Sequence, residues 1–340
     1  MIDVKALTRQ DLEGLLLEKG FSKFSSTQIF TWVYRKRIED FSRMTDLSKR
    51  LREYLNKNFY FSRLELKKRK VSSDGTEKFL FKLKDGSLIE TVLIPEEERN
   101  TLCISTQVGC KYKCKFCVSG LDGFKRNLEV SEIINQFLEV KDLIAPKKIT
   151  NIVFMGIGEP LDNFENLIKA IKIFMDNKGI YLGKRKICIS TVGITSQIKE
   201  LIELSLGVKL SLSLHSAISE KRTKIIPVNK KYPLPEVLTA LGEFVKKEKF
   251  PVTFEYILIR GFNSSKEDAQ ELANLSKKIK CKINLIPYNP SPHFNWQPPL
   301  EQEVEDFKKI LKKKRVFFTL RRPRGKDIEA GCGQLRARFL

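Results

Sequence analysis

Apolar residues between positions 5 and 57 recur at helical spacing, as in Leu12, Leu15 and Leu16 and then Ile29, Phe30 and Val33. This spacing predicts a small helical domain over residues 1–60. The period then changes from helical to alternating. EKFLFKLK and SLIETVLIP alternate apolar and polar positions on either side of Asp85-Gly86, a dipeptide suited to a tight turn, so residues 61–99 read as a β-hairpin extension. Over residues 100–340, strand-like runs take turns with amphipathic segments: TLCISTQV, TNIVFMG, RKICIST, VKLSLSL, VTFEYIL and KINLIPY, then a last strand, VFFTL. One intervening segment places Phe164, Leu167, Ile168, Ile171, Phe174 and Met175 on a single helix face, as a helix covering a sheet requires. Six such units predict an α/β fold, a parallel sheet curled into a partial (β/α)6, TIM-like barrel. Functional residues are then expected at the C-terminal ends of its strands.

At 340 residues and 41% hydrophobic, the chain can bury one large core with a smaller appendage. It has no apolar run of about eighteen residues, and MIDVKALTRQDLEG has no apolar signal core behind its charges, so a cytoplasmic protein without a membrane partner is expected. Charge narrows the partner further. Lys and Arg number 63 against 41 Asp and Glu, a formal +22, which suits a polyanion such as RNA or DNA. A generally basic chain is the alternative. The clustering in Lys67 to Lys70, in Lys312 to Arg315 and in Arg321, Arg322, Arg324 and Lys326 favours a binding face.

Of seven cysteines, Cys188 and Cys281 alternate within apolar strand-like runs and read as core. Cys110, Cys114 and Cys117 stand apart, in GCKYKCKFCVSG, with C-x3-C-x2-C spacing directly after the first barrel strand. Three thiolates can hold three irons of a 4Fe-4S cluster and leave the fourth iron open to another ligand. A zinc knuckle is the alternative, and it requires a fourth ligand that no nearby Cys or His pair supplies.

This spacing, with Phe116 before the third cysteine, resembles the radical S-adenosylmethionine superfamily, in which the open iron binds S-adenosylmethionine and an electron cleaves it to a 5′-deoxyadenosyl radical. Over nearly the whole chain, MGIGEPL, ISTVG, SLSLHS, FEYILIRG, IPYNP and KDIEAGCGQL resemble the RlmN family, which methylates C2 of an adenine in 23S rRNA, in the peptidyl transferase centre, and of the adenine 3′ to the anticodon in tRNA. The resemblance implies a 4Fe-4S cluster on Cys110, Cys114 and Cys117. It implies an S-adenosylmethionine pocket lined by Gly158, Glu159, Ser190, Ser213, Leu214, His215 and Asn289. Locally, Glu159 suits an amino or ribose group as a hydrogen-bond acceptor, and glycines let backbone approach a ligand closely.

The resemblance also implies a two-cysteine mechanism. Cys332 takes a methyl group from one S-adenosylmethionine, a second yields the radical that activates that methyl, and the carbon joins adenine C2. Cys103 then attacks the Cys332 sulfur, forming a disulfide and releasing the base, while Glu90 accepts the C2 proton. An electron donor such as flavodoxin or ferredoxin is implied, and a monomer is expected. Val118-Ser119, Ile157 and Gly331 depart from the family pattern without removing a chemical group. Cfr-type enzymes share the three cysteine elements but methylate adenine C8; GFKRNL, GIGEPL and RPRGKDI are more similar to the C2 enzymes. A zinc-stabilised, non-catalytic RNA-binding protein would explain the charge and the cysteine loop but leave Cys103, Cys332 and GIGEP idle.

Overall fold

The computed structural model describes residues 1–321 and 323–337. Helices α1 (Arg9–Glu18), α2 (Phe24–Phe30) and α3 (Lys49–Asn58) form the N-terminal part, fastened by a short parallel pairing of β1 (Ile2–Asp3) with β2 (Phe59–Tyr60). Thr8 starts α1 through a reciprocal capping box with Asp11, which satisfies two otherwise orphaned N–H groups. No helix among the described residues is long and apolar enough to cross a membrane.

Three antiparallel strands follow, β3 (Glu65–Val71), β4 (Glu77–Lys82) and β5 (Leu88–Glu96), and β5 pairs with β6 (Arg99–Cys103). The expected hairpin is β4–β5. The sequence pattern does not predict β3, because ELKKRKV has no apolar alternation; it is the exposed outer edge of the sheet, where lysines discourage further pairing. TLCISTQV does not form one strand either. It breaks after Cys103, and β7 (Gln107–Gly109) leaves the sheet to form a separate hairpin with β8 (Phe124–Asn127) around the cysteine loop.

Beyond this hairpin the chain winds β/α. Helix α4 (Val130–Leu143) leads to β9 (Asn151–Phe154), α5 (Phe164–Met175) to β10 (Ile187–Thr191), and α6 (Thr195–Leu204) to β11 (Lys209–Ser213). Helices α7 (Ser219–Ile225) and α8 (Leu234–Glu248) lead to β12 (Val252–Leu258), α9 (Lys266–Ser276) to β13 (Cys281–Pro287), and α10 (Glu301–Lys313) to β14 (Phe318–Leu320). The ten-stranded sheet runs β14-β13-β12-β11-β10-β9-β6-β5-β4-β3, parallel from β14 to β6. Every crossover therefore delivers a loop to the same end of the sheet. Cys188 and Cys281 are only half-buried, and Cys188 faces the lower lumen of the barrel beside Ser211.

One continuous apolar core joins Leu12, Phe30 and Leu55 of the N-terminal helices to Phe137 of α4 and Phe154 and Phe174 of the barrel. A buried polar bridge reinforces this junction. The fully buried Lys5 ammonium lies 2.7 Å from Glu39, 2.7 Å from the Ser62 carbonyl and 2.9 Å from Asn135 Oδ1 on α4. Lys5→Met leaves the Asn135 side-chain oxygen without its donor and the Glu39 carboxylate with only Arg37 and Arg63, and is expected to cost about 2 kcal/mol in denaturant unfolding. An unchanged unfolding midpoint would contradict this reading of the junction.

Candidate active site

The β7–β8 hairpin presents the cysteine loop at the C-terminal end of the barrel. Gly109 starts it at φ 75°, and a Cβ there would lie 1.9 Å from the Gly123 carbonyl oxygen, so only glycine closes the loop this tightly. The Cys110 N–H donates to the Gly123 carbonyl at 3.0 Å, the Lys115 N–H to the Ile225 carbonyl at 2.9 Å, and the Trp296 indole N–H to the Lys115 carbonyl at 2.8 Å. Cys110, Cys114 and Cys117 line one cavity of about 130 Å³.

Burial pushes the Cys110 thiol up to about 12 and raises Cys114 and Cys117, and for Cys114 the neighbouring Cys117 and Cys110 sulfurs add to the effect. Three thiolates gathered this way repel one another, and a positively charged metal group relieves that repulsion. Among the described residues, no three His, Cys, Asp or Glu side chains are placed to hold a single metal ion. A cluster asks for a wider arrangement, with one thiolate per iron and a fourth iron left open to the cavity, and these residues fit it.

The same cavity is lined by Gly158, Glu159, Ser190, Ser213 and His215, all at strand ends. At Gly158, φ is 102° and a Cβ would lie 2.5 Å from the Gln107 side chain, so the GIGEP turn is packed directly on the cysteine hairpin. Besides lining the cavity, the Glu159 carboxylate oxygens accept from the Leu161 N–H at 3.1 Å and the Val192 N–H at 2.9 Å, fastening two loops together. Burial, partly offset by these bonds, places its titration at about 7. Leu214 contributes no side chain to the cavity; it is in the core, and its carbonyl accepts from the buried Arg222 guanidinium at 3.2 Å. His215 Nδ1 accepts from the Ile257 N–H at 3.0 Å, and burial lowers the ring to about 3, so it is neutral with its proton on Nε2.

Cys103 and Cys332 meet in a smaller cavity of about 40 Å³, lined also by Val92, Ile94, Val153 and Met155. Both are free thiols. Burial pushes Cys103 up to about 12, and the Cys332 sulfur adds to the effect. Cys332 lines this cavity and the cysteine-loop cavity alike. Asn289 lies with Cys332 rather than with the cysteine loop, close against Gly331, where an alanine Cβ would meet its Nδ2 at 2.5 Å. The departure from alanine at this position therefore has a local consequence. Of the other departures, Ser119 Oγ donates to the Leu335 carbonyl at 2.7 Å, and Ile157 packs in the apolar cluster around Val92 and Cys103.

Glu90 faces a third cavity, of about 270 Å³, with Lys68, Lys70, Lys78, Pro290 and His293. Burial raises its carboxyl, against the Lys78 ammonium at 3.2 Å and the Arg336 N–H at 2.8 Å. The basic tail departs further from expectation. Arg321, expected on an RNA-binding face, turns inward, and its Nη1 lies 3.8 Å from the Cys332 sulfur; Arg322 lies outside the described residues. A period-two count along VFFTLRR finds this orientation, because Arg321 shares its strand face with Thr319, which also lines the lumen.

A family model for the ribosomal RNA large subunit methyltransferase N-terminal domain matches residues 2–61, and one for the radical SAM superfamily matches residues 104–275. A probable dual-specificity RNA methyltransferase RlmN of Akkermansia muciniphila is 43% identical over 98% of this chain and 95% of its own length. The dual-specificity RNA methyltransferase RlmN of Geotalea uraniireducens is 42% identical over 99% of this chain and 97% of its own. The crystal structure of a radical SAM methyltransferase from Sphaerobacter thermophilus superposes with a TM-score of 0.92 at 38% identity, covering 99% of this chain and all of that one. With its cysteine loop, strand-end cavity and paired thiols in a radical SAM barrel, the chain belongs to the RlmN family of RNA methyltransferases within the radical SAM superfamily.

Proposed function

We propose that this enzyme methylates C2 of an adenine in 23S rRNA, in the peptidyl transferase centre, and of the adenine 3′ to the anticodon in tRNA, with Cys332 as methyl carrier. The superfamily's cofactors are a 4Fe-4S cluster and S-adenosylmethionine. Bound together, they supply a 5′-deoxyadenosyl radical. The observation that carries the proposal is the position of Cys332, whose residue borders both the cysteine-loop cavity and the Cys103 cavity.

Each residue then has a task. Cys110, Cys114 and Cys117 hold the cluster. Gly158, Glu159, Ser190, Ser213 and His215 line the cavity for S-adenosylmethionine; the neutral His215 offers an Nε2–H donor, and Leu214 supports the strand end from the core behind it. Asn289 orients the Cys332 segment against which it packs. Aromatic C2 is electrophilic, and its hydrogen is too weakly acidic for displacement chemistry, so a radical route is required; in the reading carried over from the family, the carbon arrives on the Cys332 sulfur. Cys103 then attacks that sulfur: the Cys103–Cys332 S–S bond forms and the bond from Cys332 to the methyl-derived carbon breaks. Its electron pair passes to that carbon, which takes up the proton given up by the Cys103 thiol, and the methylated base is released. Glu90, whose burial strengthens its hold on a proton, accepts the C2 proton. Lys68, Lys70 and Lys78 give its cavity the charge that nucleic-acid phosphates require, and the target adenine leaves its stack to enter. The N-terminal domain assists RNA binding, and flavodoxin or ferredoxin supplies electrons to the monomeric enzyme.

Anaerobically purified protein is expected to be brown, with about four irons and four sulfides per chain, and to lose both on Cys110→Ala, Cys114→Ala or Cys117→Ala. A colourless protein with stoichiometric zinc that takes up no iron on reconstitution would contradict the cluster.

The carrier role is tested separately. In Cys103→Ala, the carbon still joins adenine but the protein–RNA link has no thiolate to break it, so a covalent adduct is expected on a denaturing gel. Cys332→Ala gives none. Normal turnover by Cys103→Ala, or RNA methylation by Cys332→Ala, sinks the two-cysteine mechanism.

A further inference from the structure

Arg321 follows β14, and its N–H donates to the Leu285 carbonyl at 2.8 Å, which continues the strand register and fixes its side chain on the lumen face. The guanidinium enters the Cys103–Cys332 cavity, where Nη1 lies 3.8 Å from the Cys332 sulfur. Val92, Ile94, Val153 and Met155 make that wall largely apolar; Asn289 and a second cation, Arg324, also line it, and the Glu255 carboxylate acts on the Arg321 guanidinium from β12. A fixed positive charge is screened weakly in such surroundings. Arginine stays charged wherever it is buried, and the thiolate, not the thiol, is the nucleophile.

We propose that Arg321 is a further catalytic residue, holding the Cys332 sulfur as a thiolate for the transfer of a methyl group from S-adenosylmethionine. The inference rests on Cys332 being the methyl acceptor. In the step, the thiol proton goes to water and the sulfur lone pair forms the S–CH3 bond. The sulfonium C–S bond breaks, and S-adenosylhomocysteine leaves with that electron pair; nothing is oxidised or reduced. The product thioether is uncharged and only a weak acceptor, so the hold of Arg321 ends once the methyl group is in place. Cys103, in the same cavity, is then the remaining thiol on which this cation acts.

The test is the rate at which iodoacetamide alkylates Cys332, followed by peptide mass spectrometry in the full chain over a range of pH. An opposite charge at this distance shifts a titration by at least about one unit, so Arg321→Gln is expected to slow alkylation at neutral pH about tenfold or more and to displace the pH profile upward. Arg321→Lys, which keeps the charge, is expected to retain most of the rate. A Gln variant with the wild-type rate, or a slow one whose pH profile has not moved, would overturn the proposal, as would a Lys variant as slow as Gln. Alkylation needs neither S-adenosylmethionine nor RNA. A wild-type Cys332 peptide that never gains a methyl group from S-adenosylmethionine would therefore refute the acceptor reading by itself.

Discussion

The arrangement depends on how the last described residues are fastened across the open end of the barrel, because that fastening places one sulfur between two cavities. The Val118 N–H donates to the Gly333 carbonyl at 2.8 Å, Ser119 Oγ to the Leu335 carbonyl at 2.7 Å, and the Gln334 amide to the Pro290 carbonyl at 2.9 Å. The Arg336 guanidinium makes a forked ion pair with Asp122, and its backbone N–H reaches Glu90. Segment 333–336 is therefore bonded to the cysteine loop, the β13 exit and β5 at once. Together these bonds hold Cys332 where the two cavities meet. At Gly333, φ is 80° and an added Cβ would lie 2.9 Å from the Phe116 carbonyl oxygen, so the close contact with the cysteine loop itself depends on glycine.

Rigidity under the site comes from buried polar groups that tie strand ends together. Arg222, fully buried, donates to the carbonyls of Val192 at 2.6 Å, Ser213 at 3.3 Å and Leu214 at 3.2 Å, satisfying backbone acceptors where β10 and β11 end. Asn163 does the same for Thr106 and Leu128, each at 2.8 Å, and so fixes the cysteine hairpin to the β9 loop. Left unpaired, such buried groups are costly, so the hydrogen bonds hold the loops in one arrangement as well as satisfying them. Cavity walls built this way are preorganised, as radical chemistry that must exclude water requires.

Much of this was legible in the chain because period and spacing carry it. The alternation of β/α units gave the parallel barrel, and the spacing of Cys110, Cys114 and Cys117 marked one loop with one chemistry. Strand β3 was not legible, since an edge strand of lysines needs no apolar face and leaves no periodic signal. The bonds that hold Glu159 were not legible either, since only tertiary structure brings the Val192 N–H to a carboxylate that also lines the cavity. Arg321 was misread for another reason. Its charge was counted with the tail, while its position two residues beyond Thr319 already set its direction.

The central claim is that Cys332 carries the carbon that reaches adenine C2. Nucleoside mass spectrometry of rRNA and tRNA from cells whose only copy of this chain carries Cys332→Ala addresses it most directly. The account predicts that 2-methyladenosine disappears from both RNAs while other methylated nucleosides are unchanged. Retention of 2-methyladenosine, or loss of 8-methyladenosine in its place, would contradict it.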